Sequence, residues 1–168
     1  IWVLPITGDR KPQPFARSNF QEGSGRFSPD GKWVAYCTNE SGRPEVFVQP
    51  WPGPGPKIQV SSEGGIDPIW SHDGTELFYR NGDKMMAVSV TLAGGFRPGK
   101  PALLWEGHYS QGMSNSCGPP GVSSGNYDVT SDGRRFLMVK DLDQDAGSTR
   151  IIVVVNFAEE LKRVVKTN

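Results

Sequence analysis

The sequence has few of the residues from which metal centres, thiol chemistry and membrane spans are built. It holds two His and two Cys among 168 residues, and none of them falls at metal-ligand spacing with another candidate ligand. No metal or other cofactor is expected. The longest uninterrupted apolar run is IIVVV at 151–155, far below the roughly 20 residues of a spanning helix. Eighteen Lys and Arg balance eighteen Asp and Glu, so no net field draws the chain to nucleic acid or to an anionic membrane. Leu, Ala, Glu and Lys are too thinly spread for a helical protein. No signal peptide is visible and the chain opens at Ile1 rather than Met; the expectation is a piece whose true start lies upstream.

What is abundant is turn chemistry. Twenty-one Gly and fourteen Pro lie between apolar runs rather than in one tract, which indicates many short elements joined by turns and not disorder. The turns repeat. FSPDGKWVAY (27–36), WSHDGTELFY (70–79) and VTSDGRRFLM (129–138) share one pattern, so that Asp30-Gly31 recurs as Asp73-Gly74 and Asp132-Gly133 at spacings of 43 and 59. An alternating run follows each pair: KWVAYCT, TELFYRN and RRFLMVK. A short run precedes each, and a third follows: EVFVQPW (45–51), KMMAVSV (84–90) and TRIIVVVNF (149–157). KIQVSS (57–62) and ALLWEG (102–107) supply a fourth run in the first two cases. IWVLPITGDRKPQPF (1–15) parallels residues 46–60 at an offset of 45.

A period near 45 residues with four strands in each unit is the signature of a β-propeller. The expected fold is all-β, with blades that are four-stranded antiparallel sheets. Residues 1–17 give the outer strands of one blade, 18–62 and 63–107 two complete blades, 108–157 an incomplete blade with a Gly-rich insertion, and 158–168 a short C-terminal helix and tail. The Asp-Gly pair reads as a tight hairpin whose central residues both need positive φ, which Asp and Gly tolerate best. Such a pair is architecture rather than a site.

The repeated FSPDGKWVAY motif resembles the WD-repeat-like blade of TolB-type propellers over essentially the whole chain. EVFVQPWPGPG, GTELFYRNGDKMMAVSV and YDVTSDGRRFLMV resemble the C-terminal propeller of bacterial serine/threonine protein kinases. The resemblance implies a sensor or protein-binding module and no kinase chemistry in this chain, because neither a Gly-rich nucleotide loop nor a catalytic-loop Asp-to-Asn pair is present. It also implies a bacterial source; the compartment is left open, with a periplasmic or other extracytoplasmic location set slightly ahead of a cytoplasmic one.

Candidate sites are few. GVSSG (121–125) matches the nucleophile-elbow pattern, but the flanks of Ser123 supply neither strand nor helix. His72 takes the turn position that Pro29 fills in the first unit, and His108 opens the insertion without an evident partner. DLDQDAG (141–147) lacks the sixth-position Gly and closing Glu of a calcium loop, and NES (39–41) is a glycosylation acceptor only in a eukaryotic secreted chain. Cys37 reads as a small buried hydrophobe and Cys117 as a loop residue, with their pairing left open. The five Trp read as packing between units. Arg26, Asp67 and Asp128 sit in or beside the innermost strands, whose residues line a propeller's channel, and these three are the candidate ligand contacts.

The expected function is a non-catalytic binding or scaffold module for a protein or a small polar ligand. The alternative is the gating propeller of a prolyl-oligopeptidase-like hydrolase. Two full units do not close a ring, so a homodimer that closes the propeller by reciprocal strand donation is the expected self-association.

Overall fold

The computed structural model describes residues 1–110, 117 and 127–140. The expected strand at 149–157, the C-terminal helix, the DLDQDAG loop, Ser123 and most of the Gly-rich insertion lie outside the described residues. Those described form β-strands and turns only, and every strand pair is antiparallel. At the N-terminus β1 (Trp2–Val3) pairs with β2 (Gln13–Pro14). β3 (Glu22–Phe27), β4 (Trp33–Thr38), β5 (Glu45–Pro50) and β6 (Ile58–Gln59) then follow in chain order as one four-stranded meander. β7 (Ile66–Trp70), β8 (Glu76–Asn81) and β9 (Lys84–Thr91) form a second meander, whose last strand carries both β10 (Arg97–Pro98) and β11 (Ala102–Glu106). β12 (Tyr127–Val129) and β13 (Phe136–Met138) are a third hairpin.

The runs of β4, β5, β8 and β9 are apolar on both faces, and the structure buries both. In the first sheet Ala35, Val46 and Val48 face forward onto Trp70, Leu77, Tyr79, Val88 and Val90 of the second. Tyr36 and Phe47, on the other face, pack on Ile1, Phe15 and Ala16 of the N-terminal segment. The second sheet repeats this logic: Phe78, Met85 and Ala87 face forward onto Tyr127, Phe136 and Met138. The sheets therefore stack in chain order, each two-sided, as the side-chain period of two requires. Each fully buried Val, Leu or Phe contributes about 1.5–3 kcal/mol. Four of the five Trp sit at these joints: Trp33 and Trp70 both meet Phe96 (5.7 and 5.9 Å), Trp105 meets Phe136 (4.8 Å), and Trp51 meets Phe15 (6.1 Å). Trp2 is the departure, exposed on the outer side of the N-terminal hairpin.

The Asp-Gly turn differs from its sequence reading. Only the Gly has positive φ (Gly31 70°, Gly74 72°, Gly133 68°), and the Asp is not in that region. Asp instead acts as an acceptor. Asp73 takes hydrogen bonds from Ser71 Oγ (2.7 Å), Thr75 N (3.0 Å) and Thr75 Oγ1 (2.8 Å). Asp30 does the same with Ser28 Oγ (2.6 Å) and Lys32 N (3.1 Å), and Asp132 with Thr130 Oγ1 and Arg134 N. The hydroxyl residue two places before each Asp also accepts from the backbone N–H across the turn, as Ser71 does from Glu76 (2.9 Å). The loop is thus four residues long, closed by Ser28 N to Trp33 O and its two counterparts, and Ser/Thr-x-Asp-Gly is its working unit. These bonds favour the carboxylate: those from Ser71 and Thr75 hold Asp73 down at about 2, and the Ser28 and Thr130 hydroxyls lower Asp30 and Asp132 likewise.

Candidate functional site

The first strands of the first two sheets, β3 and β7, lie side by side, and one irregularity recurs on both. On β3 the register slips by one residue between Gly23 and Arg26; on β7 it slips between Ile66 and Ile69. Each slip is a β-bulge. Inside it sits a non-glycine residue with positive φ, Ser24 at 53° and Asp67 at 51°, conformations that cost on the order of 1 kcal/mol each. The two bulges are clasped together. Ser24 Oγ donates to Asp67 Oδ1 at 2.8 Å, and Trp70 Nε1 donates to Arg26 O at 3.1 Å. From the third sheet Tyr127 Oη donates to the Asp67 carbonyl at 2.6 Å. A row of hydrogen bonds therefore runs β3 to β7 to β12.

Asp67 is the centre of this row. Burial raises its carboxyl above the ordinary Asp value, and the Ser24 hydrogen bond and the charges of Arg80 and Arg26 oppose that rise. Tyr127, almost fully enclosed, is raised well above the usual phenol value, first by burial and then by the Asp67 charge. Arg26 keeps an exposed side chain on the surface of β3. Of the three sequence candidates, then, Arg26 and Asp67 come within electrostatic reach of each other. Asp128 does not join them: it is exposed, and its carboxylate accepts from the N–H of Val129 at 2.8 Å, turned to its own strand.

Arg80, Tyr127 and Ser24 were not singled out from sequence. Arg80 is 2 % exposed. It donates to main-chain carbonyls, Nη1 to Ser110 and Nη2 to Tyr109 at 3.1 Å, and so clamps the chain that leaves β11 onto the end of β8. The matching end of β4 bears Cys37, which forms a disulfide with Cys117 (Cα–Cα 5.3 Å). Cys37 is thus buried as expected but oxidised. The two equivalent positions grip the same stretch, one by hydrogen bonds and one covalently.

The polar side chains that line the neighbouring cleft are already committed. A cleft of about 370 Å³ opens between the β4–β5 and β8–β9 turns, lined by Arg43, Arg80, Asn81 and Asp83 among others. Arg43, however, is spent on Glu45 (2.8 Å) and on the Ser62 carbonyl. Glu45 is itself buried and also takes the Ser61 hydroxyl and Gly64 N (3.0 Å). His72 is exposed in its turn. His108 finds a partner that the sequence did not suggest, Asp83, at 2.8 Å from Nδ1. Among the described residues no three His, Cys, Asp or Glu side chains gather as a metal site, and no helix is long and apolar enough to cross a membrane. No family model matches the chain, and no curated protein matches it in sequence.

Proposed function

We propose that the stacked sheets are blades of a TolB-type β-propeller, as the repeated Asp-Gly motif suggests, and that the chain is a non-catalytic binding module whose recognition surface is the row of first strands. One observation carries this reading. The exposed Arg26 side chain lies within electrostatic reach of a half-buried Asp67 carboxylate, and both are on paired bulges that cost backbone strain. Strain and bulges concentrate where a side chain must be aimed rather than packed. A donor-rich cation next to an acceptor carboxylate suits a ligand that both accepts and donates hydrogen bonds, such as a peptide backbone, an amide or a sugar hydroxyl pair. The row offers no activated nucleophile: Ser24 gives its proton to a carboxylate whose own basicity is shared with two arginines. The Cys37–Cys117 disulfide supports an oxidising, extracytoplasmic location.

The test is a thermal-shift panel of short peptides, amides, mono- and disaccharides and small oxyanions, run on the wild-type chain and on Arg26→Ala. The reading expects at least one peptide, amide or sugar to raise the melting temperature of the wild type and to lose most of that effect in the variant. Stabilisation that is indifferent to Arg26, or confined to simple oxyanions, would move the site elsewhere.

A further inference from the structure

Each sheet in the stack has a forward face and a backward face, and register assigns the residues to one or the other. Position for position, Ala35 on β4 corresponds to Phe78 on β8 and to Leu137 on β13, counting from Asp30, Asp73 and Asp132. Ala35 and Phe78 are forward-facing and buried against the next sheet. Leu137 points the same way and is 74 % exposed, with Val139 beside it half exposed. No described element lies on them. At the other end, the offset of 45 matches Trp2, Leu4 and Ile6 with Phe47, Gln49 and Trp51. These last three turn backward toward the N-terminal segment: Phe47 packs with Phe15 and Ala16, Trp51 meets Phe15, and Gln49 lines a cleft with Pro14 and Phe15. Trp2 and Leu4 hold the same backward-facing positions and are 57 % and 60 % exposed.

Both ends of the stack thus carry large apolar side chains at register positions that, one sheet further in, are buried between sheets, as Phe78 and Phe47 are. We infer that the forward face at Leu137 and Val139 and the backward face at Trp2 and Leu4 are the two halves of one more joint of the same kind, made head to tail between two copies of this chain. The occupant is a second copy because the surface that fits a forward face is a backward face, and the chain displays one. The interface is heterologous: a face does not pair with itself. This inference rests on the stacking of the sheets and is independent of the ligand reading. Large apolar side chains left exposed on a β-sheet face are otherwise an aggregation liability.

The heterologous geometry gives a discriminating experiment. Leu137→Arg blocks the forward face and leaves the backward face whole; Leu4→Arg does the reverse. Both positions are exposed, so neither change disturbs a buried side chain of the fold, and circular dichroism is to match wild type. The wild-type chain is expected to sediment as a dimer or larger species at micromolar concentration. Each variant alone is expected to be a monomer of about 18.4 kDa at wild-type-saturating concentration, its dissociation constant raised about 100-fold or more by an unpaired charge in the joint. An equimolar mixture of the two is expected to recover a 1:1 dimer through the one intact pair of faces. A monomeric wild type overturns the inference. So does a variant that still self-associates as wild type, or a mixture of the two that stays monomeric.

Discussion

Removing the Cys37–Cys117 bridge is the perturbation whose size follows most directly from the structure. The bond joins a buried strand residue of the first sheet to a position 80 residues further along. Closing a loop of that length in the unfolded chain removes entropy worth about 4.5 kcal/mol at 25 °C. Folded domains have only about 5–15 kcal/mol in hand, so the bond is a large share of the total. Cys37→Ala/Cys117→Ala avoids a stray thiol and leaves a small apolar side chain in the pocket shared with Ile66. With a urea dependence of about 2 kcal/mol per molar, the midpoint is expected to fall by about 2 M, measured by tryptophan fluorescence at one fixed protein concentration. Wild type in excess reducing agent, unfolded and refolded, is expected to match the double variant. A shift below about 0.5 M in both experiments would refute the reasoning, because the two cysteines would then not be closing that loop in the native chain.

Other outcomes follow from single side chains. Tyr127→Phe removes the donor to the buried Asp67 carbonyl and is expected to cost about 1–3 kcal/mol in chemical denaturation. Phe78→Ala opens the joint between the second and third sheets, where its ring meets Phe136 at 5.0 Å, and is expected to cost about 3–5 kcal/mol. Asp67 is raised in the fold by burial, so its contribution is fully present below the ordinary Asp value and is lost as pH rises through the raised one. Asp67→Asn is expected to flatten that part of a stability–pH curve and to gain relative to wild type at neutral pH. Asp73 has the opposite sign. Held at about 2 by Ser71 and Thr75, it stabilises above the ordinary Asp value and ceases to do so as pH falls toward 2. Asp73→Asn is expected to lose stability at pH 6 and to converge on wild type near pH 2.

The sheet order was legible because both-face burial forces apolar runs of fixed length, and because Gly31, Gly74 and Gly133 must have positive φ. The reason given for Asp in those turns was mistaken, since a sequence shows which residue is present but not which of its two properties, backbone tolerance or acceptor oxygen, is used. The bulge row was half legible. Arg26 and Asp67 were named on their place in the first strands, whereas the offset that links them went unread: Ser24, Asp67 and Asn126 each stand six residues before the Asp of a turn. Small polar residues are common in loops, and only the repeat makes that spacing informative. Arg80 looked like the polar end of TELFYRN. Its burial depends on a loop about thirty residues away reaching back to take its hydrogen bonds, as Tyr109 and Ser110 do. The disulfide was out of reach for the same reason, because the approach of Cys117 to β4 is set by how the sheets stack.

The most direct test of the binding account is an ¹⁵N NMR titration of the chain with the strongest peptide, amide or sugar stabiliser from the thermal-shift panel. The account expects saturable shifts centred on Ser24, Arg26 and Asp67 and their neighbours across β3 and β7, abolished in Arg26→Ala. Shifts centred instead on the Asp-Gly turns or on the cleft between Arg43 and Asp83, with Ser24 and Asp67 unmoved, would contradict it.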